Sequence, residues 1–282
     1  MKFNTFYKIY YSHRIKKSSL LLRIYIYIIL PIVYLINKIF IKPVINLDKF
    51  SKNKSELYDQ NLNFLFQYFN SDKGDKFENQ YKKPIKLKKE IIDGHKYHEF
   101  YEKFFLDRKN DTLDILEIGT FKGNATAAFY FYFKNSNITS VDIFPDLIRY
   151  KSKRINNFYL DNSHENEIKE KILQKNLKFD LIIEDAGHYY KDQIISLFYL
   201  FQSLKNSGIF VVEELDFPNI REDMNPHKKK PTLKDILISI KNNQDFVSDL
   251  VSEQQKEYFL NNLSSINIFK GRFNEIAFIK KK

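Results

Sequence analysis

The chain has 282 residues, of which 43% are hydrophobic and 29% charged, with a net charge of +11 and no cysteine. That length and composition suit one large domain or two modest ones around a real core, and exclude global disorder. Without cysteine there is no disulfide scaffold, thiolate zinc site or cysteine nucleophile.

The charge is uneven. Residues 1–54 hold eleven Lys and Arg against one acid, Asp48, so +10 of the +11 lies there and residues 55–282 carry only +1. A nearly neutral body offers no broad basic face, and no nucleic-acid partner is expected.

The first element is the apolar run Ile24–Ile36, with six basic residues before it and five after. As a helix it reaches about 20 Å, short of a hydrocarbon core of about 30 Å. Extending it to Ile41 admits Asn37 and Lys38, and Pro31 interrupts it near its middle. Three readings fit: a helix on an anionic membrane surface through residues 14–42, a short spanning anchor, or an apolar helix packed on the protein or in a homo-oligomer interface. The first is carried forward, with the protein expected in the cytoplasm at the inner face of the membrane.

Residues 43–60, opened by Pro43, read as a polar connector. Residues 61–107 read as short helices broken by Ser71–Gly74, Pro84 and Asp93–Gly94. The expected organisation is an N-terminal module over 1–54, a helical lead-in over 55–110 and a main domain over 111–282. In that domain, strands are predicted at Leu113–Ile118, Ile138–Asp142, Asn157–Leu160, Phe179–Glu184 and Gly208–Glu213. Helices are predicted over Ala125–Phe133, Glu165–Leu173 and Lys191–Leu204, and a closing antiparallel hairpin at Ile266–Phe269 and Glu275–Ile279. This alternation means an α/β fold with a mostly parallel sheet, helices on both faces, and ligands beyond the carboxyl ends of the strands. Residues 215–232, with Pro218, Pro226 and Lys228–Lys230, read as a mobile cover over a substrate.

Two strand ends carry chemistry. In Leu116-Glu-Ile-Gly-Thr-Phe-Lys-Gly123, two glycines follow a buried strand and let backbone approach a ligand. No Gly-Lys-Ser/Thr and no third glycine follow, so this is neither a P-loop nor the dinucleotide fingerprint. Asp142 ends the next strand, 23 residues beyond Gly119, where an acid suits a ribose diol. The second cluster joins Phe179-Asp-Leu-Ile-Ile-Glu-Asp-Ala-Gly-His188 to Gly208-Ile-Phe-Val-Val-Glu-Glu214. Adjacent strands would gather Glu184, Asp185, Glu213 and Glu214 at one rim. Like charges there repel unless a cation sits between them, and an all-oxygen set suits Mg²⁺ before Ca²⁺ or Mn²⁺. His188 suits a general base better than a ligand. A helix cap for His188 and solvated strand ends for the acids are the plain alternatives.

Glu117–Gly123 with Val141-Asp142 resembles the cofactor signature of class I S-adenosylmethionine-dependent methyltransferases. The two acidic segments are similar to the Asp-Asp-Gly-Ser-His and Ile-Glu-Asp elements of metal-dependent sugar O-methyltransferases of the macrolide-tailoring (mycinamicin/macrocin) type. Ser71–Gly74, His95-Lys-Tyr97 and Phe100-Tyr-Glu102 resemble that family's lead-in, and Phe158–Ser163 its acidic adenine loop. The resemblance covers roughly residues 70–280. It implies a Rossmann-like seven-stranded sheet with an antiparallel last strand, preceded here by an N-terminal helical extension. It also implies S-adenosylmethionine held by Glu117, Gly119, Thr120, Gly123, Asp142, Ile143, Asp161, Asn162, Ser163 and Glu184. Mg²⁺ would sit on Asp185, Glu213 and Glu214, His188 would be the base, and the acceptor would be a hydroxyl of a sugar or glycan. The chain departs from the pattern at Glu184 and Glu214, where Asp is usual, at Ala186-Gly187 in place of Gly-Ser, and at Leu160 in place of Gly. A non-catalytic scaffold of the same fold and a metal-independent methyltransferase remain open. A nicotinamide-dependent dehydrogenase is disfavoured by the missing third glycine.

Overall fold

The computed structural model describes residues 19–40, 44–79 and 90–282. Residues 14–18 and 41–42 of the expected membrane segment, and the expected break at Pro84, lie outside the described residues. Seven strands form the main sheet: β1 (Asp114–Ile118), β2 (Asn137–Asp142), β3 (Ile155–Tyr159), β4 (Phe179–Glu184), β5 (Leu204–Val212), β6 (Leu263–Lys270) and β7 (Glu275–Lys281). Their order is β3-β2-β1-β4-β5-β7-β6. The first five pair in parallel, and β7 runs antiparallel to both of its neighbours.

Among the described residues, four α-helices precede the sheet: α1 (Leu20–Phe40), α2 (Leu47–Asn53), α3 (Leu62–Tyr68) and α4 (His98–Phe105). Then α5 (Asn124–Tyr132) follows β1, α6 (Glu165–Ile168) follows β3 and α7 (Tyr190–Leu200) follows β4. Between β5 and β6 lie α8 (Phe217–Ile220), α9 (Leu233–Lys241) and α10 (Glu253–Asn262).

The central strands β1 and β4 are apolar on both faces, as strands covered on both sides must be. Alternation sends Ile115, Leu181, Ile183, Val211 and Phe278 into one core layer with Leu62, Phe66, Tyr101, Phe105 and Phe129. Leu116, Ile182, Phe210, Val212 and Ala277 face the other layer, with Ile194, Leu197, Ile236 and Phe259. The lead-in helices α3 and α4 therefore share one core with the sheet.

The structure corrects the connector expected over residues 43–60. Ile45–Asn46 pairs in parallel with Tyr150–Lys151, and the Asn46 side chain caps α2 by accepting from Lys49 N at 3.2 Å. Asp48, the lone acid of the basic stretch, accepts hydrogen bonds from Ser152 Oγ (2.6 Å), Lys153 N (2.9 Å) and Tyr130 OH (3.2 Å). Its polarity marks a tether, not a solvated linker. The helix expected to reach Leu204 ends at Leu200, and β5 begins four residues ahead of Gly208. A shift of register between the Phe179–Leu204 and Leu181–Ile209 pairs absorbs the polar residues that read as loop.

On α1, Leu20, Leu21, Ile24, Tyr25, Ile28 and Ile32 are exposed while Leu30 is buried. Among the described residues, no helix is long and apolar enough to cross a membrane.

Candidate active site

The chain turns off β1 at Gly119, whose φ is +88°. A Cβ there would lie 2.0 Å from the Asp185 carbonyl oxygen, so glycine is what lets the ends of β1 and β4 meet. Gly123, at φ +77°, starts α5, and a Cβ there would lie 2.6 Å from Ile148 Cγ1.

A cleft of about 590 Å³ opens at the carboxyl ends of the strands, lined by Gly119, Asp142, Ile143, Asp161, Asn162 and Ser163 among others. Asp142 is fixed at its mouth, Oδ2 accepting from Phe121 N and Oδ1 from Phe144 N, each at 2.7 Å. Asp161 Oδ1 accepts from Ser163 N (3.0 Å) and Ser163 Oγ (2.6 Å). A smaller cavity of about 60 Å³ lies between the lead-in and β1, lined by Ser71, Lys73, Glu117, Thr120 and Asn124. Gly119 and Asp185 line both spaces. Glu117 is buried, accepts from Thr126 Oγ1 at 2.5 Å, and is pushed up to about 7 by burial. Thr120 Oγ1 is buried without a hydrogen bond.

Two expected cofactor residues are placed elsewhere. Gly123 lines neither space and serves the helix start. Glu184 also lines neither; it lies wholly buried beneath the cleft, where its Oε1 accepts from Asn162 Nδ2 at 3.3 Å. Burial raises its carboxyl to about 8, with Asp192 and Asp185 adding, so it is mostly neutral at pH 7. It orients Asn162 from behind.

At the acidic rim Asp185 lies between the other two expected metal ligands, one oxygen meeting Glu213 across the Lys73 ammonium and the other facing Glu214 and His188. Glu213 has both oxygens engaged: Oε1 accepts from Tyr101 OH at 2.6 Å, and Oε2 takes the Lys73 ammonium, which also bridges to Asp185 Oδ2. Asp185 Oδ1 instead turns towards His188 Nε2 (3.6 Å), and Glu214 Oε2 lies 3.3 Å from the same nitrogen. Ligand atoms of Asp185, His188 and Glu214 all fall within 4.8 Å of one another. Glu214 Oε2 is buried and accepts no hydrogen bond, while Oε1 lies 3.3 Å from His95 Nε2. Burial holds the Glu214 carboxyl far above its ordinary range, and Asp185 and Glu213 push it further. A crowded acid whose buried oxygen accepts no hydrogen bond fits a divalent cation, which oxygens of Asp185 and Glu214, with Glu213 adjoining, could hold.

His188 is lowered to about 4 by burial, which outweighs the attraction of Asp185, so it is neutral near pH 7 and able to take a proton. Its backbone and those of Glu214 and Phe121 are left-handed, with φ of 54°, 45° and 47°. Non-glycine residues held this way cost of order 1–3 kcal/mol each and cluster where geometry serves function. Phe217, at the start of the predicted cover, meets the His188 ring edge-on at 5.2 Å.

Sequence reasoning leaves Ser71, Asp72 and Lys73 open between a helix cap and a cofactor contact, and gives Tyr101 and His95 no role beyond the lead-in motifs that contain or adjoin them.

The strand order and the reversed β7 give a Rossmann-like α/β architecture. No protein-family model matches the chain, and no curated protein matches it. Among solved structures it is similar to "MycE Methyltransferase from the Mycinamycin Biosynthetic Pathway in Complex with Mg, SAH, and Mycinamycin VI", at 19% identity and a TM-score of 0.59 over 79% of this chain and 54% of that one. A structure of the same protein with Mg and SAH gives a TM-score of 0.58 at 19% identity, over 79% of this chain and 53% of the other. The likeness establishes the fold. The chain spans about half the length of these two structures.

Proposed function

We propose that the chain is an S-adenosylmethionine-dependent O-methyltransferase that methylates a hydroxyl of a sugar or glycan with the help of a divalent ion, Mg²⁺ first. The observation that carries this reading is Asp185. It lines the large cleft and also faces Glu214 and His188, so a cofactor side and an acceptor side meet at one residue. The MycE structures of the same fold were solved with Mg and SAH, which supports the pairing.

S-adenosylmethionine supplies an electrophilic methyl carbon, and a divalent ion on Asp185 and Glu214 supplies the charge that lowers a hydroxyl's pKa. The protein's part is positioning and proton transfer. Asp142, already oriented by two backbone N–H groups, receives the ribose hydroxyls. Asp161, Asn162 and Ser163 line the adenine end, Ile143 gives an apolar wall, and Glu117 and Thr120 face the methionine end past Gly119. His188 Nε2, neutral through burial, accepts the hydroxyl proton as the carbon–oxygen bond forms. Phe217 packs against that ring at 5.2 Å between centroids.

The test is methyl transfer by the full chain from labelled S-adenosylmethionine to a panel of sugars and glycans, with Mg²⁺ and with EDTA. Methyl ethers formed only with Mg²⁺ support the reading. Transfer insensitive to EDTA removes the ion, and cofactor binding without transfer to any hydroxyl supports a scaffold.

The same proposal places the protein at the cytoplasmic membrane surface. The exposed apolar side of α1 and the +10 charge of residues 1–54 suit anionic lipid. Flotation of the full chain with phosphatidylglycerol vesicles, and not with neutral ones, is expected; no flotation with either removes the membrane contact.

A further inference from the structure

The glycine turn beside the cleft is backed by a second segment, residues 148–150. Arg149 N donates to Lys122 O at 2.9 Å. Ile148 and Tyr150 press on Gly123, where an added Cβ would lie 2.6 Å from Ile148 Cγ1 and 3.4 Å from Tyr150 Cδ2. The turn carries Phe121 N, which orients Asp142, and Thr120, which lines the smaller cavity. In a close-packed protein, a shift of the backing segment is felt at these groups.

That segment is in turn held by residues that precede the main domain. Ile45 N donates to Arg149 O at 2.8 Å, and Ile45–Asn46 pairs in parallel with Tyr150–Lys151. Asp48 reaches two elements at once. It accepts from Ser152 Oγ and Lys153 N just ahead of β3, and from Tyr130 OH on α5, the helix that Gly123 starts. Burial raises the Asp48 carboxyl, but its hydrogen bonds with Ser152, Lys153 and Tyr130 outweigh that and hold it below the ordinary carboxylate range. Next to it Leu47 is fully buried, and the Phe50 ring meets Phe131 of α5 edge-on at 6.3 Å. Ile45 itself is 40% exposed, so its pairing with the backing segment is a hydrogen-bonded contact more than an apolar one. Neither Ile45 nor Asp48 lines the cleft or the smaller cavity.

We propose that residues 45–48 are a strap that positions the glycine turn for the cofactor, with the Ile45 N–H and the Asp48 carboxylate as its positioning groups. This rests on the S-adenosylmethionine reading above. The strap acts through residues 148–153 and α5 and touches no ligand. Because α1 ends at Phe40 and the strap opens at Ile45, the basic N-terminal module runs directly into the support of the cofactor site.

The test compares Ile45→Pro with Ile45→Ala in the full chain. Neither opens the core at this half-exposed position. Proline, which is tolerated at the first residue of a strand, removes the N–H given to Arg149 O, whereas alanine keeps it. S-adenosylmethionine affinity is measured by calorimetry, and amide exchange over residues 119–127 by mass spectrometry, both well below the melting temperature. Ile45→Pro should bind the cofactor about 3- to 30-fold more weakly, the range for residues that act on a site without touching its ligand, and exchange faster over the turn. Ile45→Ala should bind within about twofold of the wild type, and Asp48→Ala should weaken binding as Ile45→Pro does. Variants that lose thermal stability but keep wild-type affinity and turn exchange make the strap a structural tether only and overturn the proposal. Equal weakening by Ile45→Ala and Ile45→Pro overturns it as well, because the hydrogen bond would then not carry the effect. A folded wild-type chain that binds no S-adenosylmethionine overturns the cofactor reading and this inference with it. Should Asp48→Ala not fold, the Ile45 pair decides.

Discussion

Replacing Glu117 by Gln should make the protein more stable at high pH while weakening its hold on the cofactor. The carboxyl is 1% exposed, and burial raises it from 4.5 to about 7. A carboxyl whose pKa is higher in the folded state contributes stability that is full below 4.5 and is lost as the pH rises through about 7. At about 1.4 kcal/mol for each tenfold change in the proton equilibrium, keeping it as an anion at pH 9 costs about 3 kcal/mol. Glutamine removes the charge but keeps a carbonyl oxygen to accept from Thr126 Oγ1. Urea denaturation of both proteins between pH 4 and pH 9 reads the effect directly, because other titrating groups cancel in the difference. The variant should match the wild type at pH 4 and exceed it by about 3 kcal/mol at pH 9. The anion is kept, on this account, because it faces the cationic methionine end, so the variant should also bind S-adenosylmethionine more weakly. A stability difference independent of pH, or a less stable variant at pH 9, would refute the reasoning.

Three further outcomes follow from the assigned roles. His188→Ala should lower turnover by about 10²- to 10⁴-fold with cofactor affinity nearly intact, the range for a general base; a normal rate removes it from that role. Asp185→Asn should abolish both activity and Mn²⁺ binding, and retained binding would move the ion elsewhere. Asp142→Ala should weaken S-adenosylmethionine by about tenfold or more, the loss of hydrogen bonds to a charged acceptor, as measured by calorimetry. Undiminished affinity would mean that the ribose lies elsewhere.

The main sheet was legible because β1, β4 and β5 are short apolar runs with turn signals between them, and their order put Gly119, Asp142 and Asp185 at one edge. The placing of Glu184 beside Asp185 at the rim overlooked alternation along a strand. Glu184 shares parity with Ile182 and points into the layer that holds α7, where it meets Asn162. The same rule sends Glu213, in phase with Val211, towards Tyr101 and Lys73. The contact of Lys73 with Asp185 was not legible, because the two lie 112 residues apart in sequence and the local motif suited a helix cap as well as a ligand contact. Asp48 was missed for a related reason, because its partners Tyr130 and Ser152 come from far along the chain.

The most direct test of the account is calorimetric titration of S-adenosylmethionine into the full chain, with and without Mg²⁺. Saturable binding of one cofactor per chain, altered by Mg²⁺, is the predicted result. A folded sample that binds no S-adenosylmethionine under either condition would contradict it.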